Sequence, residues 1–395
     1  MTRFACVSAD LGVPVFGRKG CSIHVQEVLR SLIRQGAEAH LFTTSCQGEP
    51  PPGLEAVCLH ALPRPSQSDR AAREQAELAA NATLRRELEL AGPFDFVYER
   101  YSLWSFAGME FARDARVPGL LEVNSPLIEE QAEYRVLVDR AGAKRAAGRA
   151  FAAAAALLAV SDEVAAYLEG FPAARGKVQV MPNAVDPDRF PEKIKPALPV
   201  QPGGFTVGFV GTLKAWHGLP VLVEAFALLH ARQPAARLLI VGDGPEFEKL
   251  VADVTARGLA SATHFTGSVP AGEVAGLLAV MDAAVAPYPN LPRFYFSPLK
   301  VYEYMAGGLP VVASRIGQLE KLIEPGANGL LVPPGDALAL SAALELLCTK
   351  PELRERLGRA GRATVLGNHT WEKVARRILQ IAGQAREPGQ RPFTH

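Results

Sequence analysis

The sequence predicts an α/β protein built from two doubly wound halves. In both halves short β-rich runs alternate with helical patterns, which is typical of parallel sheets covered by helices on both faces. The length of 395 residues suits two domains. Four prolines fall within residues 190–204, where they preclude a helix or a central strand. This stretch therefore predicts a domain boundary.

The β-rich runs of the first half predict strands at residues 4–7, 38–43, 94–98, 120–123, 157–160 and 178–181. An amphipathic helix is predicted over residues 23–34, and Ser161 is a suitable N-cap for a helix that ends near Leu168. In the second half an amphipathic helix is predicted over residues 220–230. The strands of that half are predicted at residues 206–210, 237–241, 263–266, 284–286, 310–313 and 329–332.

These elements predict a first domain over residues 1–190, a linker over 191–204 and a second domain over 205–368. Residues 386–395 are polar and contain proline, so we expect a disordered tail. Two doubly wound domains that face each other form a cleft, and such sheets bind ligands at the carboxyl ends of their strands.

Composition excludes several classes of protein. The formal net charge of +1 gives no global attraction to nucleic acid, so any anion must be bound by a local site. The five cysteines include no CxxC pair, which indicates neither a zinc cluster nor a disulfide framework. The longest apolar run, residues 151–160, is half of the about 20 residues that a membrane span needs, and the N-terminus lacks a signal-peptide pattern. We therefore expect a cytoplasmic protein.

The strongest candidate site is the predicted helix that begins at Ser297, Pro298 and Leu299. Ser297 is a good N-cap, and Pro298 suits the first helical position. Lys300 then lies in the first turn, where the helix dipole disfavours a cation unless an anion is bound there. Glu303 follows about 4.5 Å further along the helix axis, where its carboxylate could accept hydrogen bonds from a ribose diol. The alternative is a solvated Lys300–Glu303 ion pair.

A second candidate is the loop after the first strand of the second half. Gly211 allows close approach to a ligand, and Lys214 and His217 can neutralise phosphate. A plain strand-to-helix turn is an equally good interpretation. Further along, Gly242 belongs to a Gly-x-Gly that also follows a strand, but Glu246 stands where the third glycine of a dinucleotide fingerprint should begin. NAD binding is therefore disfavoured.

The first half has a comparable loop between its first strand and first helix. Gly17 and Gly20 allow a ligand to approach the helix N-terminus, with Lys19 and His24 as polar contacts. A lone histidine on a helix is more often structural than catalytic.

With these residues in view, the chain resembles the glycosyltransferase family 4 enzymes of GT-B fold, which have two Rossmann-like domains facing each other across a cleft. The resemblance rests on the order and spacing of motifs at residues 17–20, 160–162, 180–186, 211–218, 241–245, 296–313 and 324–336. It implies transfer of a sugar from a nucleotide diphosphate donor with retention of anomeric configuration, and without an obligatory metal or cofactor.

The resemblance also assigns roles to residues. Glu303 matches the carboxylate that binds the ribose hydroxyls, and the loop at Gly17 and Gly20 matches the one that packs against the donor across the cleft. The C-terminal helix, residues 369–385, is implied to return to the first domain. The donor site that it implies comprises Gly211, Thr212, His217, Gly242, Ser297, Pro298 and Leu299 in addition.

Some positions depart from the family pattern. Tyr295 stands where relatives often have a glutamate that touches the donor sugar, and Thr212 and His217 stand where arginine and lysine are common. We hypothesise that Lys214 and Lys300 share the diphosphate and stabilise the leaving group.

In the first half, Asn124 follows the strand after which many relatives have a histidine. We therefore carry over no catalytic histidine and treat Glu122 and Asn124, together with His24 and Tyr295, as acceptor or cleft candidates.

A hexosyl transfer from a UDP-sugar is favoured, although GDP donors also occur in relatives. A nucleotide-sugar 2-epimerase of the same fold and an inactive nucleotide-sugar-binding protein are the alternatives. The acceptor, whether saccharide, lipid-linked or a small molecule, is expected near residues 127–149. The basic residues of that segment would allow weak peripheral membrane contact, but a solvated helix face is favoured; they are Arg135, Arg140, Lys144, Arg145 and Arg149.

Overall fold

The structure is a computed structural model that describes residues 1–65 and 69–385. The predicted tail at 386–395 lies outside the described residues. The chain divides into two compact units. The first comprises Met1–Pro182 and the chain from Trp371 onward, and the second comprises Asn183–Thr370.

In the first unit, the described residues form a seven-stranded sheet in the order β3-β2-β1-β4-β5-β6-β7, and all its strand pairs are parallel. The strands are β1 Arg3–Ser8, β2 Glu38–Thr43, β3 Cys58–Ala61, β4 Phe96–Arg100, β5 Gly119–Val123, β6 Ala156–Ala159 and β7 Val178–Val180. The helices are α1 Gly20–Arg34, α2 Arg70–Ala91, α3 Ala107–Asp114, α4 Leu127–Tyr134, α5 Arg140–Ala153, α6 Asp162–Glu169 and, at the other end of the chain, α14 Trp371–Gln384.

Strand β3 was missed by the sequence analysis. It is four residues long and mostly exposed, so it lacks the apolar pattern that marks buried strands. It lies at the edge of the sheet and, among the described residues, pairs only with β2, with His40 opposite Cys58 and Phe42 opposite His60. The predicted N-cap of α6 is confirmed, since the Ser161 hydroxyl accepts a hydrogen bond from the backbone N–H of Val164 at 3.1 Å.

The second unit has, over its described length, a six-stranded parallel sheet in the order β10-β9-β8-β11-β12-β13. Its strands are β8 Phe205–Val210, β9 Ala236–Val241, β10 Thr263–Gly267, β11 Ala283–Ala286, β12 Val311–Ser314 and β13 Leu330–Val332. Its helices are α7 Leu219–Arg232, α8 Phe247–Ala256, α9 Val274–Leu278, α10 Leu299–Ala306, α11 Leu319–Leu322, α12 Ala337–Thr349 and α13 Pro351–Asn368.

The sheet of the second unit is buried on both faces. Val241 and Val311 belong to a core that includes Tyr304 of α10. Ile240 and Val312, their neighbours in sequence, belong to a second core, which includes residues of α7 and α12. Because side chains alternate along a strand, consecutive residues enter opposite cores, as a doubly wound sheet requires.

The proline-rich stretch at 190–204 contains no helix or strand. It nevertheless groups with the second unit, because the N–H of Ala197 donates to Gly276 and the carbonyl of Phe190 accepts from Arg362. The chain passes from the first unit to the second between Pro182 and Asn183, and it returns to the first between Thr370 and Trp371. In the part of the chain that is described, no helix has the length and apolar character to cross a membrane.

Candidate active site

Lys300 lies in the first turn of α10, as predicted, with its ammonium group directed into the second unit. Among the described residues, Nζ has no hydrogen-bond partner and is buried. Its neighbours are aromatic: Nζ lies 4.0 Å from the ring centroid of Phe209 and 5.8 Å from that of Tyr288. Burial lowers the pKa of Lys300 to about 7, and the nearby Glu303 only partly opposes this. The rings stabilise a cation only weakly.

The loop after β8 lies against this lysine. Gly211 has φ +143°, and a β-carbon there would lie 3.0 Å from Nζ of Lys300. Gly242 has φ +132°, and its β-carbon would lie 2.1 Å from the carbonyl oxygen of Gly211. Steric crowding thus explains why both positions are glycine. At Gly242 a side chain would collide with the backbone of the loop at Gly211, whereas Gly211 leaves space for the Lys300 side chain.

The segment before α10 is held differently from the prediction. Ser297 does not cap the helix; Pro298 is the N-cap, and α10 begins at Leu299 without a side-chain cap. The Ser297 hydroxyl instead accepts from the backbone N–H of Asn183 at 3.0 Å, and the Asn183 amide donates to the Ser297 carbonyl. A tertiary contact has therefore taken the place of the local cap, which sequence spacing alone does not reveal.

Tyr304 fixes the other end of this arrangement. Its buried hydroxyl accepts from the N–H of Val210 at 2.7 Å and donates to the carbonyl of the same residue at 3.3 Å. This pair of bonds ties α10 to the last residue of β8, immediately before Gly211. No role was predicted for Tyr304, because a tyrosine on a predicted helix is usually a core residue.

Glu303 forms an ion pair with Arg189, whose Nη1 lies 3.0 Å from Oε1 of the carboxylate. Burial raises the pKa of Glu303, while Arg189 and Lys300 act in the opposite direction. The solvated Lys300–Glu303 pair, which was the alternative interpretation, is replaced among the described residues by the Arg189 pair. Arg189 was not predicted, because it lies 114 residues from Glu303 in the sequence.

His217 differs from its predicted charge-neutralising role. Its Nδ1–H donates to the carbonyl of Thr212 at 2.6 Å. Burial, with the positive charges of Lys300 and Lys214, lowers the pKa of His217 to about 2. The imidazole is therefore neutral and adds no positive charge here. Lys214 also lies at this loop, with Nζ 5.5 Å from the ring centroid of Trp216.

Tyr295 is buried, and its ring centroid lies 4.5 Å from that of Phe296. Phe209 and Tyr288, which sequence reasoning missed, lie at or just beyond the ends of β8 and β11, the neighbouring strands at which the strand order reverses. Ligands of doubly wound sheets bind at this switch point. Aromatic residues at the ends of these strands were thus the signal available in the sequence.

The first unit brings together two of the cleft candidates. His24 on α1 hydrogen-bonds to Glu122 on β5, and Arg100 Nη1 lies 3.6 Å from the same carboxylate. Burial opposes ionisation of Glu122, but the attraction of His24 and Arg100, with a smaller effect of Asn124, lowers its pKa to about 2. The result is a buried carboxylate that stays charged at neutral pH.

The ring of Trp371, the first residue of α14, meets the His24 ring edge-on at a centroid distance of 4.9 Å. This edge-on contact helps to hold the imidazole in place. The glycine loop before α1 is also fixed, because the side-chain amide of Gln26 donates to the carbonyls of Val15 and Gly17. Gly20 is the first residue of α1.

A cavity of about 560 Å³ lies in the first unit at the carboxyl ends of β1 to β4. Its lining includes the acidic residues Asp10 and Glu77 and the basic residues Arg64, Arg70, Arg73 and Arg135. Position and size suit a small-molecule ligand, and the guanidinium groups suit an anionic one.

Most of the basic residues at 127–149 behave as a solvated face. Arg140 pairs with Glu129 at 3.2 Å. Arg149 pairs with Glu110 at 2.8 Å and covers the ring of Phe106. In this segment Arg135 alone, among the basic residues described, lines the cavity.

Comparisons with known proteins show the family to which the chain belongs. The family model described as Glycosyl transferases group 1 matches residues 191–364, and the model described as Glycosyltransferase Family 4 matches residues 18–189. These matches, together with the relatives described below, show that the protein is a glycosyltransferase. The chain belongs to glycosyltransferase family 4, so the predicted family is confirmed.

A similar protein is the D-inositol 3-phosphate glycosyltransferase of Pseudarthrobacter chlorophenolicus, which is 29% identical over 91% of this chain and 89% of its own length. The structure resembles that of a sucrose-phosphate synthase from Thermosynechococcus elongatus, with TM-score 0.76, 21% identity and coverage of 97% of this chain and 99% of the other. It also resembles HepE from Anabaena, determined with UDP and glucose, with TM-score 0.72, 18% identity and coverage of 96% and 99%. The predicted GT-B fold with two Rossmann-like domains is thereby confirmed.

Proposed function

We propose that this glycosyltransferase moves a hexosyl group from a nucleotide diphosphate sugar to an acceptor hydroxyl, with retention of configuration and without a metal at the diphosphate. The observation that carries the proposal is the buried Lys300 ammonium, which among the described residues has no hydrogen-bond partner. Leaving a buried charge unpaired costs several kcal/mol. A diphosphate at the first turn of α10 would supply the missing charge and interact favourably with the helix dipole.

Each nearby group then has a role. Lys300 and Lys214 stabilise the nucleotide diphosphate as negative charge develops on it, which is the task a divalent cation has in other enzymes. Glu303 accepts hydrogen bonds from the ribose hydroxyls. Arg189 holds one oxygen of that carboxylate and thereby sets its orientation.

We favour a UDP-sugar as donor. HepE, whose fold is similar, was determined in complexes with UDP and with UDP-glucose. The acceptor is proposed to bind in the 560 Å³ cavity of the first unit. The four arginines of its lining favour an acceptor that carries an anionic group, and the relatives named D-inositol 3-phosphate glycosyltransferase support a phosphate.

The first experiment identifies the base. The full chain is heated with UDP-, GDP-, ADP- and TDP-sugars in the presence of a metal chelator, because a ligand that binds only the native state raises the melting temperature. We expect the largest increase with a UDP-sugar. No increase with any of the four would contradict the proposal.

The second experiment follows the reaction. The selected donor is incubated with soluble phosphorylated polyols and with lipid-linked phosphates, and the anomeric configuration of the product is read by NMR. The expected product has the donor's anomeric configuration, and Lys214→Ala lowers turnover at least about tenfold, as loss of a preorganised charge-stabilising group does. Inversion would contradict retention. Epimer release without acceptor would indicate the epimerase, and binding without consumption would indicate the inactive binding protein.

A further inference from the structure

The edge of the first sheet holds a cluster that the donor chemistry does not use. His40 lies on β2, and Cys58 and His60 lie on the edge strand β3. The parallel register places His40 opposite Cys58 and Phe42 opposite His60. Because side chains alternate along a strand, these four residues share one face of the sheet. A Cys-x-His sequence on one strand thus faces a histidine on its neighbour.

The potential ligand atoms are close together. Nδ1 of His40 lies 3.0 Å from Nε2 of His60, and Sγ of Cys58 lies 3.5 Å from the same nitrogen. All three atoms lie within 4.8 Å of one another. Tetrahedral zinc, with bonds of about 2.0–2.1 Å to nitrogen and about 2.3 Å to sulfur, places its ligand atoms roughly 3.3–3.6 Å apart. Small side-chain shifts would therefore bring the three atoms to coordination distance.

The surroundings orient the imidazoles. Oε1 of Glu38 lies 3.0 Å from Nε2 of His40, and the Nε–H group of Arg3 donates to the same ring nitrogen at 3.0 Å while lying 3.3 Å from the carboxylate oxygen. Zinc at Nδ1 requires the His40 proton to be on Nε2, so on zinc binding this proton would be donated to Glu38, and the Arg3 N–H would donate to the carboxylate alone. A carboxylate on the distal nitrogen is the usual outer partner of a metal-binding histidine, because it fixes the tautomer that leaves the other nitrogen for the metal. Phe42 stacks on His60 with a centroid distance of 4.3 Å and an interplanar angle of 8°.

We propose that His40, Cys58 and His60 form a binding site for a single zinc ion. His40 contributes Nδ1 and donates its Nε2–H to Glu38, and His60 contributes Nε2. Cys58 releases its thiol proton to solvent and binds as the thiolate. Cys58 is exposed, so a water molecule can take the fourth tetrahedral position.

The chemistry of the set favours this ion. Two imidazoles and a thiolate suit a borderline cation, whereas magnesium and calcium prefer oxygen ligands. The ion would join β2 to an edge strand that has one neighbouring strand, so zinc should stabilise the fold by binding the native state. Sequence inspection missed the set because His40 lies on a different strand from Cys58 and His60, and the set contains no CxxC pair.

The test uses the full chain without a polyhistidine tag, reduced with a phosphine and stripped with a chelator. Cobalt is titrated as a spectroscopic probe, and zinc is then used to displace it. We expect one equivalent of cobalt to give a thiolate-to-metal charge-transfer band and the intense visible bands of a tetrahedral site. Zinc should abolish both and raise the melting temperature.

Cys58→Ser and His60→Ala should lose the charge-transfer band and weaken zinc binding at least about tenfold, as should Glu38→Gln through its effect on His40. Cys348→Ser and His264→Ala are matched controls outside the cluster and should behave as the unmodified chain, with folding checked by circular dichroism. Absence of the bands in the unmodified chain, or their persistence in folded Cys58→Ser and His60→Ala, would overturn the proposal. Binding of copper without zinc would overturn the choice of ion.

Discussion

The ammonium nitrogen of Lys300 lies 3.0 Å from the place that a β-carbon would take at Gly211. The glycine therefore leaves room for the lysine, and the lysine in turn lies at the loop that follows β8. Tyr304 strengthens this relationship, because its hydroxyl bonds to both backbone groups of Val210 and ties α10 to the same loop. The helix α10, the loop after β8 and the buried Lys300 ammonium are therefore structurally coupled, and a change in any of them should affect donor binding.

Gly211→Ala should disturb this coupling directly. The variant combines a positive φ with a β-carbon next to Lys300, a strain of about 1–3 kcal/mol. We expect the affinity for the nucleoside diphosphate, measured by calorimetry, to fall at least about tenfold. Gly258→Ala is the matched control, since Gly258 also has a positive φ, but a β-carbon there would have no described atom within 4 Å apart from its chain neighbours. It should lose stability without losing affinity. Equal affinities in both variants would refute the coupling.

Lys300→Met should stabilise the unliganded protein, because it removes a buried charge that has no hydrogen-bond partner among the described residues. The difference in the free energy of unfolding between Lys300→Met and the unmodified chain should depend on pH. The pKa of Lys300 is about 7 in the folded state, against 10.5 for a lysine in water, as in the unfolded chain. Below about pH 7 Lys300 is protonated in both the folded and the unfolded state, so the folded state carries the full free-energy cost of the buried charge. As the pH rises toward 10.5 the unfolded state binds more protons, so the stability of the unmodified chain rises.

Thermal or denaturant unfolding between pH 6 and about 10 measures this effect. The advantage of Lys300→Met should be largest at pH 6 and should shrink as the pH rises. Lys249→Met is the control, because Lys249 is 77% exposed. An advantage that is independent of pH would contradict the buried-charge account.

Sequence reasoning located much of the site because its signals are local. Lys300 and Glu303 are three residues apart on one helix, and Gly211 follows a recognisable strand. The missed contacts are all long-range: Arg189 with Glu303, Asn183 with Ser297, and Tyr304 with Val210 lie 94 to 114 residues apart. Helical periodicity and capping rules do not report such pairs, and for Ser297 the distant partner replaced the cap that the local rule predicted.

Glu303→Gln should remove the carboxylate that is proposed to accept from the ribose. The unmodified chain should bind UDP more tightly than 2′,3′-dideoxy-UDP, because the latter leaves a buried acceptor unpaired. In the variant the two affinities should approach each other. Calorimetry with both ligands measures the preference. An unchanged preference in Glu303→Gln would exclude the proposed ribose contact.

Glu122→Gln should destabilise the first unit by about 3 kcal/mol at neutral pH, because it removes one partner of a buried charged group. The pKa of Glu122 is lowered to about 2, so its contribution is present above about pH 4.5 and is lost as the pH falls toward 2. The unmodified chain and the variant should therefore converge in stability on acidification, as followed by circular dichroism. Glu130→Gln, an acidic residue outside this cluster, serves as the control. A gap that persists at pH 2 would show that the effect is not ionic.

The central claim is that Lys300 binds the diphosphate of the donor. Calorimetry on the unmodified chain, Lys300→Met and the control Lys249→Met, with UDP and with uridine, tests it most directly. A charge-assisted hydrogen bond contributes about 1.5–3 kcal/mol, so Lys300→Met should weaken UDP binding roughly 10- to 100-fold. Its affinity for uridine, which has no phosphate, should match that of the control. Undiminished UDP affinity in a folded Lys300→Met variant would contradict the account.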